Sequence, residues 1–509
     1  MSVISDHPTT TAPGKSPHIN FTIPKELEDT TFVGLKGLDE LKFPDECFQF
    51  DIRECTNRIL RPKHRKGAIY RNGRWLNFPD DVTGRYNSGE MICDIFNNIG
   101  ESILKTGKLG KRLDRMWTRI RLLPRRQRQW DDPDRLDVAL MNTGFFETVV
   151  GWPYILGANI LEIRTGVDTT QTMKRLIAAS HCIFQAQPDR RFVLGICMAN
   201  SNMLFAVLNR GCILTTDTFD VHESPERLIR IVAGFMFANR TFLGFKPNMQ
   251  ITVVDGECSS TVTVNSRTYV IKEVVYIEDG LHCRGTVCLR ATREGKTYAV
   301  KSAWFPSSHE TNEPELMQQL QGVEGVVQLV EHEYVKTNGI PDSTLIDIEA
   351  LSKRGQLTKE QLRMINELQD YRREQVNIVE TPFGRPLRMF KSIRELFRVF
   401  IDIADSEYNL NLPFGWITYL TFALTAIQRL HSKKILHRDI SLRNILIADD
   451  TDENCEGRGL LIDFDCAIQL KDESSEAPIG RTVSQLIPPF PDCFLSSLLL
   501  TRARFHTWP

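Results

Sequence analysis

Residues 436–447, LHRDISLRNILI, carry an acid and an amide five positions apart between two apolar runs. In this spacing Asp439 could accept the proton of an incoming hydroxyl group, and Asn444 could bind a metal ion from the other side of a loop. His437 would anchor the loop, and Arg438 would be available to contact negative charge. The stretch therefore predicts a site that handles phosphate, provided that the remaining parts of such a site occur elsewhere in the chain.

Upstream of this stretch the sequence predicts three successive strands. They are TYVIKEVVYI (268–277), TVCLRA (286–291) and TYAVKSAWF (297–305), and a turn that contains Gly295 separates the last two. Lys301 lies within the third strand, where an ammonium group is costly to desolvate unless a phosphate or a carboxylate pairs with it. The segment EPELMQQLQGVEG (313–325) has helical spacing and offers Glu315, with Glu313 as the second choice.

Downstream, GLLIDFDCA (459–467) reads as a buried strand that leads into Asp463. An acid at that point could hold Mg²⁺ across the phosphates of a nucleotide. One chain thus contains, in order, a strand lysine, a helix carboxylate, a loop acid, a loop amide and a second acid. These residues are Lys301, Glu315, Asp439, Asn444 and Asp463.

This ordered set resembles the eukaryotic protein kinase superfamily. GRPLRMF (384–390), QPDRRFVLGICM (187–198) and NRGCILTTDTFDVHESP (209–225) look like the fungal-type protein kinases, over roughly residues 130–483. The resemblance implies transfer of the γ-phosphoryl group of ATP to a protein hydroxyl, with Mg²⁺ as cofactor. It implies Asp439 and Lys301 as catalytic residues, Asn444 and Asp463 as metal ligands, and nucleotide binding by Gly285, Lys301, Glu315, Asn444 and Asp463.

Several positions depart from the kinase pattern. The expected phosphate-covering loop, HCRGTVCLRA, keeps Gly285 and has Cys283 where the first glycine would fall, which predicts weaker nucleotide binding. Asp465 replaces the glycine that usually follows the metal-binding acid. The loop residues Ser441 and Arg443 do not decide whether the group that accepts the phosphoryl group is a serine, a threonine, a tyrosine or a small molecule. A pseudokinase that binds nucleotide without turnover, or a small-molecule phosphotransferase, is the alternative function.

The predicted fold class is α+β, a two-lobed kinase-like fold preceded by an α/β domain. After residue 483 the sequence leaves the family pattern, so we expect a truncated large lobe that impairs activity. The expected segments are a disordered tail (1–30), a helical basic region (31–130), an α/β domain (131–265), a small lobe (266–382) with a charged surface insert (336–375), a partial large lobe (383–483) and an unrelated tail (484–509).

The region before the kinase-like part contains a basic belt at 105–128, with ten Lys and Arg and the single acid Asp114. We favour a solvated helix face over nucleic-acid binding, which the belt leaves open. Asp137, Glu162 and Arg164 are similar to the Asp and Glu-x-Lys pattern of metal-dependent nucleases. Because an arginine does not give up its proton as a lysine can, a nuclease site is not predicted.

The composition is that of an ordinary soluble protein, with 41% hydrophobic and 25% charged residues among 509 and a net charge of -1. No apolar run is long enough to span a membrane, and the N-terminal residues lack a signal-peptide core. Twelve cysteines without any CxxC pair predict reduced thiols. We therefore expect a cytoplasmic or nuclear protein, without membrane partners, that acts on an unidentified protein substrate.

Overall fold

The computed structural model describes residues 25–62, 67–78, 88–110, 112–119, 136–143, 151–162, 169–254, 257–307, 313–337, 339–396, 399, 430, 433–448 and 459–469. The chain divides into two compact units, and it passes from one to the other five times along its length. The first unit comprises Met1–Met249, Ile277–Gly285 and Asp342–Glu374, and the second comprises Gln250–Tyr276, Thr286–Pro341 and Gln375–Pro509.

Two helices of the first unit, α2 (Ile52–Leu60) and α8 (Lys359–Leu368), start with side-chain caps. The side chain of Asp51 accepts a hydrogen bond from the Glu54 N–H at the start of α2, and Thr358 and Gln361 form a capping box at the start of α8. The helices of this unit are α1 (Leu38–Lys42), α2 (Ile52–Leu60), α3 (Ser88–Gly107), α4 (Thr169–Ala186), α5 (Pro225–Phe237), α7 (Ile346–Lys353) and α8 (Lys359–Leu368), numbered in chain order with α6 in the second unit.

An eight-stranded mixed sheet forms the centre of the first unit, in the order β1-β9-β8-β7-β6-β5-β4, with β10 paired to β8. Its strands are β1 (Thr31–Phe32), β4 (Arg115–Arg119), β5 (Val138–Asn142), β6 (Gly157–Glu162), β7 (Phe192–Ala199), β8 (Asn202–Asn209), β9 (Ile213–Thr215) and β10 (Phe219–Asp220), and β2 (Tyr70–Arg71) with β3 (Arg74–Trp75) forms a separate hairpin. Strands β6 and β7 run parallel, and α4 connects them.

Apolar side chains cover both faces of this sheet. Every residue of β7 and β8 is buried, as expected for central strands with a layer on each side. One core contains Met173, Leu176 and Ile183 of α4, and the other contains residues of α2, α3 and α5. The N-terminal residues from Thr31 therefore belong to the same unit as the α/β domain, because β1 and β4 are strands of one sheet.

The charged insert differs from its predicted role as a surface element of the small lobe. Residues 342–374 form α7 and α8 and belong to the first unit. Ile348 and Leu351 are fully buried there, and Ile365 lies in the same apolar core. The charged residues between these positions obscure an apolar stripe with helical spacing, and that stripe packs into the core.

The second unit contains a seven-stranded sheet in the order β11-β12-β13-β14-β15-β19-β16. Strands β14 and β15 form a hairpin whose turn includes Gly295 at a φ of 76°, as the sequence predicts. The strands are β11 (Met249–Val254), β12 (Glu257–Val264), β13 (Arg267–Ile277), β14 (Val287–Arg293), β15 (Lys296–Pro306), β16 (Gln328–Tyr334) and β19 (Arg373–Thr381), and β17 (Lys336–Thr337) pairs with β18 (Ile340–Pro341).

Two smaller sheets follow in the second unit. They contain β20 (Gly384–Pro386), β21 (Ile435–Leu436), β22 (Ile445–Ala448), β23 (Gly459–Leu461) and β24 (Ile468–Gln469), paired in the orders β20-β22-β23 and β21-β24. One apolar core joins these sheets to helix α6 (Glu313–Gln319) and to the seven-stranded sheet, through residues such as Leu316, Ile378 and Leu461. The mixed α/β structure is compatible with the expected kinase-like α+β fold.

Candidate active site

Lys301 lies at the centre of a buried cluster of charges. Its Nζ donates to both carboxylate oxygens of Glu313, each at 2.8 Å, and to Asp463 Oδ1 at 2.6 Å. The Lys301 side chain is 7% exposed and that of Glu313 is completely buried. Strand β15, helix α6 and the segment after β23 thus each contribute one charged group to the same point.

The electrostatics of this cluster favour the ammonium form of the lysine. Burial alone would lower the pKa of Lys301, but the carboxylates of Glu313 and Asp463 outweigh it, so the pKa is raised above its usual value. Lys301 therefore keeps its positive charge throughout the physiological pH range. The Asp463 side chain, which is 25% exposed, is the more accessible of the two carboxylates. A phosphate group could therefore reach Lys301 on the side of Asp463.

The expectation that Glu315 pairs with Lys301 is corrected, because the partner is Glu313, the second choice. Glu313 begins α6 and lies on the same face as the buried residues Leu316, Met317 and Leu320, whereas Glu315 is exposed. The i, i+3, i+4 spacing of those apolar residues was the signal that could have identified Glu313.

Asp463 has a left-handed backbone conformation, with φ 68° and ψ 73°, directly after β23. Aspartate is among the residues that tolerate this region best. Glu313 Oε1 accepts a hydrogen bond from the Phe464 N–H at 3.1 Å, which fixes the turn that follows. Asp465, which stands where a glycine was expected, lies in a 3₁₀ turn and its φ is not positive, so no glycine is needed there.

The loop between β21 and β22 contains the other two predicted site residues. The Asn444 side-chain amide donates to the Asp439 backbone oxygen at 2.9 Å and to Asp439 Oδ2 at 3.0 Å. Asn444 is buried and Asp439 is exposed. The amide therefore holds the loop closed and orients the carboxylate of Asp439, which remains accessible to an incoming group.

His437 supports this loop from beneath. Its Nε2 donates to the Ile462 backbone oxygen at 3.0 Å, and its Nδ1 accepts from the Asp439 N–H at 3.3 Å, so the two contacts define one neutral tautomer. Burial lowers the pKa of His437, which agrees with a neutral ring. The ring also contacts Phe464 edge-on, with centroids 4.7 Å apart. His437 thus anchors the loop, as the sequence predicts.

The residues suit Mg²⁺ in the donor atoms that they provide. Magnesium prefers oxygen ligands and usually takes one or two carboxylates together with substrate phosphates. Asp463 provides carboxylate oxygens, and the Asn444 side-chain oxygen accepts no hydrogen bond from the residues that the structure describes. Within the described ranges, no group of three or more His, Cys, Asp or Glu side chains could hold a metal by itself. A magnesium site here would need the phosphates of a nucleotide to complete it.

Sequence reasoning missed Glu380, a second buried carboxyl group of the cluster. Burial and then the charge of Glu313 raise the pKa of Glu380 to about 8, against the opposing effect of Lys301. Glu380 is 6% exposed and lies near the end of β19. An acid directly after Ile378 and Val379 was the available signal, because acids are seldom buried without a reason.

Gly285, a predicted nucleotide-binding residue, lies in the segment 277–285 that belongs to the first unit. Its φ is 55°, and a Cβ atom there would lie 2.5 Å from Arg210 Nε. Cys283 Sγ donates to the Gly280 oxygen and accepts from the Gly285 N–H, both at 3.3 Å. Arg210 also donates to the Gly280 oxygen. Cys283 therefore stabilises this turn through its hydrogen bonds, at a position where a glycine was expected.

The described part of the basic belt has structural partners. Arg115 donates to the backbone oxygens of Phe235 and Ala238 at 3.0 and 2.7 Å, and burial lowers its pKa to about 10. Lys105 pairs with Glu101 along α3. The belt is therefore not a single solvated helix face, because Lys105 belongs to α3 while Arg115 lies in strand β4 and is buried. Residues 120–128 lie outside the described ranges.

The nuclease-like pattern does not present a free acid at Asp137. Its Oδ2 accepts from Arg175 at 2.6 Å and from the Leu161 N–H at 2.9 Å. Arg164 lies outside the described residues. The carboxylate of Asp137 thus joins α4 to the sheet, which is a structural role.

Some expectations concern residues that the structure does not describe. The N-terminal tail to residue 24, residues 401–429 of the expected large lobe, and the C-terminal tail 484–509 with its predicted truncation all lie outside the described ranges. The nine cysteines assigned in the described part are free thiols. No helix in that part is long and apolar enough to cross a membrane.

Comparison with known proteins agrees with the geometry of the second unit. Residues 136–485, more than half of the chain, match the model of the fungal protein kinase family. No curated protein matches the chain. The matched range contains Lys301, Asp439 and Asp463 and therefore the whole site described above. The chain belongs to the fungal protein kinase family.

Proposed function

We propose that the chain is an ATP- and Mg²⁺-dependent protein kinase that transfers the γ-phosphoryl group of ATP to a hydroxyl group of a protein. The observation that supports this most directly is the convergence of Lys301, Glu313 and Asp463 within hydrogen-bonding distance in a kinase-family chain. Three charged groups from separate parts of the second unit meet at one buried point. Such an arrangement is costly unless function retains it.

Each residue would have a distinct task in this reaction. Lys301 would bind the α and β phosphates, with Glu313 holding its ammonium group in place. Asp439, oriented by Asn444, would accept or position the proton of the acceptor hydroxyl. Asn444 and Asp463 would hold Mg²⁺, which when bound neutralises charge on the phosphates. The acceptor protein and the choice among its hydroxyl residues are not part of this proposal.

The first prediction tests the chemical step. Asp439→Asn keeps the size of the side chain but removes its ability to accept a proton, so we expect phosphoryl transfer to fall by a factor of roughly 10² to 10⁴. Binding of ATP should be nearly unchanged, because the Asp439 side chain has no predicted contact with the nucleotide. Radiolabel transfer from ATP to a mixture of proteins measures turnover, and calorimetry measures affinity.

Glu315→Gln is the matched control, since it neutralises an exposed acid of the same unit and should leave transfer unchanged. If the wild type and Asp439→Asn transferred label equally, the activity would come from another site or a contaminant. Binding of ATP without transfer by the wild type would favour a pseudokinase instead.

A further inference from the structure

The segment 277–285 connects two strands of the second unit, β13 and β14, yet it belongs to the first unit. Residues 278–286 form neither helix nor strand. Leu281 packs against the apolar core that surrounds α4. Because the segment lacks the regular backbone hydrogen bonds of a helix or a sheet, its conformation depends on the side chains that contact it.

Helix α4 contacts this segment at two points. His181 Nε2 lies 2.6 Å from Asp279 Oδ1, and Gln185 Nε2 donates to the Glu278 backbone oxygen at 2.8 Å. The two helix residues are four positions apart, the spacing that places side chains on the same face of a helix. One face of α4 therefore holds the first half of the segment.

Arg210, which directly follows β8, contacts the second half. Its Nη1 donates to the Gly280 oxygen and to Cys283 Sγ, the latter at 3.6 Å. The guanidinium carbon lies 4.1 Å from the centroid of the Phe184 ring, and Arg210 is 3% exposed. Among the described residues no carboxylate accepts a hydrogen bond from this guanidinium. Because a buried cation without such a partner is costly, its presence at this turn indicates a function.

The backbone of Arg210 is also fixed. Asn209 Oδ1 accepts a hydrogen bond from the Gly211 N–H at 2.8 Å, so the turn after β8 is closed by a side chain. Arg373 Nη1 donates to the Arg210 oxygen at 2.9 Å and to the Cys283 oxygen at 3.3 Å. Arg210 thus projects from a rigid turn, and Arg373 joins that turn to the same segment.

The segment leads directly into the strand that pairs with Lys301. Strand β14 begins two residues after Gly285, and in its hairpin with β15 Val287 pairs with Ser302 and Cys288 pairs with Lys301. Gly285 also belongs to the stretch that the sequence predicts to cover the phosphates of a nucleotide. The contacts of Arg210 therefore restrict the residues that precede the partner strand of the lysine.

We propose that Arg210 is a positioning residue for the phosphates of the nucleotide, and that it acts through the segment 277–285. The inference rests on the proposed function, in which Lys301 binds those phosphates. With Arg210 in place, the backbone of the segment is ordered before the nucleotide binds. Without Arg210, the entropy of ordering that backbone would oppose binding, and the effect should be confined to ligands that carry phosphates.

Calorimetry on the full chain with MgATP, magnesium tripolyphosphate and adenosine tests this role. Arg210→Met removes the hydrogen-bond donors but keeps an apolar side chain over Phe184. We expect this variant to bind MgATP and tripolyphosphate about tenfold more weakly, the effect of ordering the backbone of one residue. Its affinity for adenosine, which has no phosphate, should not change.

A second variant tests the segment without altering Arg210. Gln185→Ala removes the donor to the Glu278 oxygen, and alanine favours the helix, so α4 should remain intact. Binding of tripolyphosphate should weaken by about two- to tenfold, the range of one hydrogen bond. Arg230→Met is the matched control, because Arg230 donates to the Phe43 oxygen and to Asp45, which lie in the first unit outside the segment. It should bind all three ligands as the wild type does.

Unchanged tripolyphosphate affinity in Arg210→Met, or in Gln185→Ala if Arg210→Met does not fold, would overturn the role of Arg210 while the kinase proposal stands. An equal loss of affinity for adenosine, or an equal loss in Arg230→Met, would overturn it as well, since the effect would then be a general weakening of the chain. Failure of the wild type to bind MgATP or tripolyphosphate would overturn the kinase proposal and this inference together.

Discussion

The Lys301 side chain has all of its hydrogen-bonding capacity engaged within the protein. Its contacts with Glu313 and Asp463 are short, and the group is almost fully enclosed. A phosphate that binds at this lysine must therefore replace or share one of the two carboxylates. Asp463 is the more accessible of the two, which makes it the contact that would change first when nucleotide enters.

At the same scale, the pair of acids in α6 gives the second prediction. Glu313→Gln removes the charge that faces Lys301, so we expect a loss of about 1.5 to 3 kcal/mol in the free energy of unfolding, as for hydrogen bonds to charged groups. Glu315→Gln changes an exposed acid two residues away and should alter it by less than about 0.5 kcal/mol. Chemical denaturation of the two variants measures the difference. Equal losses in the free energy of unfolding would show that Glu313 is not the carboxylate that stabilises Lys301.

The third prediction concerns pH and Glu380. The pKa of this group rises from 4.5 to about 8 on folding, so between those values the native state holds a proton that the unfolded state has lost. The free energy of unfolding should therefore decrease as pH rises from about 4.5 to 8, by about 1.4 kcal/mol for each unit of pKa shift. Glu380→Gln cannot ionise and should lack this contribution.

Thermal melts of the wild type and Glu380→Gln across that range give the comparison. The melting temperature of the wild type should fall relative to that of the variant as pH increases. A constant difference from pH 5 to pH 9 would show that Glu380 ionises normally in the folded chain.

Among the elements, the insert of α7 and α8 carries the clearest consequence for stability, and it gives the fourth prediction. Ile348 is completely buried in the core of the first unit, whereas Leu362 of the same insert is 39% exposed. Ile348→Ala should cost about 2 to 5 kcal/mol, as truncation of a buried aliphatic side chain does. Leu362→Ala, the matched control, should cost much less. Similar small losses in the free energy of unfolding for both variants would show that the insert is a surface element.

The elements also show how far the sequence determines the structure. Strands β13, β14 and β15 lie where the sequence predicts them. Strand β14 buries alternate residues, whereas β13 is mostly exposed. The role of the insert was not predictable in this way, since a helix that packs against a distant part of the chain shows the same pattern as a surface helix. Within the site, motif order identified Lys301, Asp439, Asn444 and Asp463. Motif order did not show that Glu313, and not Glu315, is the partner of Lys301, and it did not identify Glu380. Each of these facts depends on which face of a helix or strand is buried.

For the whole molecule, the division into two units gives the fifth prediction. The residues proposed to bind ATP and Mg²⁺ lie in the second unit, so ligand binding should stabilise that unit, by about 2.7 kcal/mol at a hundredfold excess over the dissociation constant. Hydrogen exchange should slow in β14 and β15 when MgATP is added, with little change in β7 and β8 of the first unit. Equal slowing in both sets of strands would mean that the two units unfold as one.

The five passages of the chain between the two units restrict how this protein can be divided into fragments. A cut near residue 250, the obvious place to release a catalytic fragment, would leave 277–285 and 342–374 attached to the wrong piece. That piece would display Ile348 and Leu351 without the core that covers them. Such a fragment is expected to aggregate. A gene rearrangement that replaced one unit would also have to replace the segments of that unit that lie within the sequence of the other. The two units are therefore expected to be inherited together.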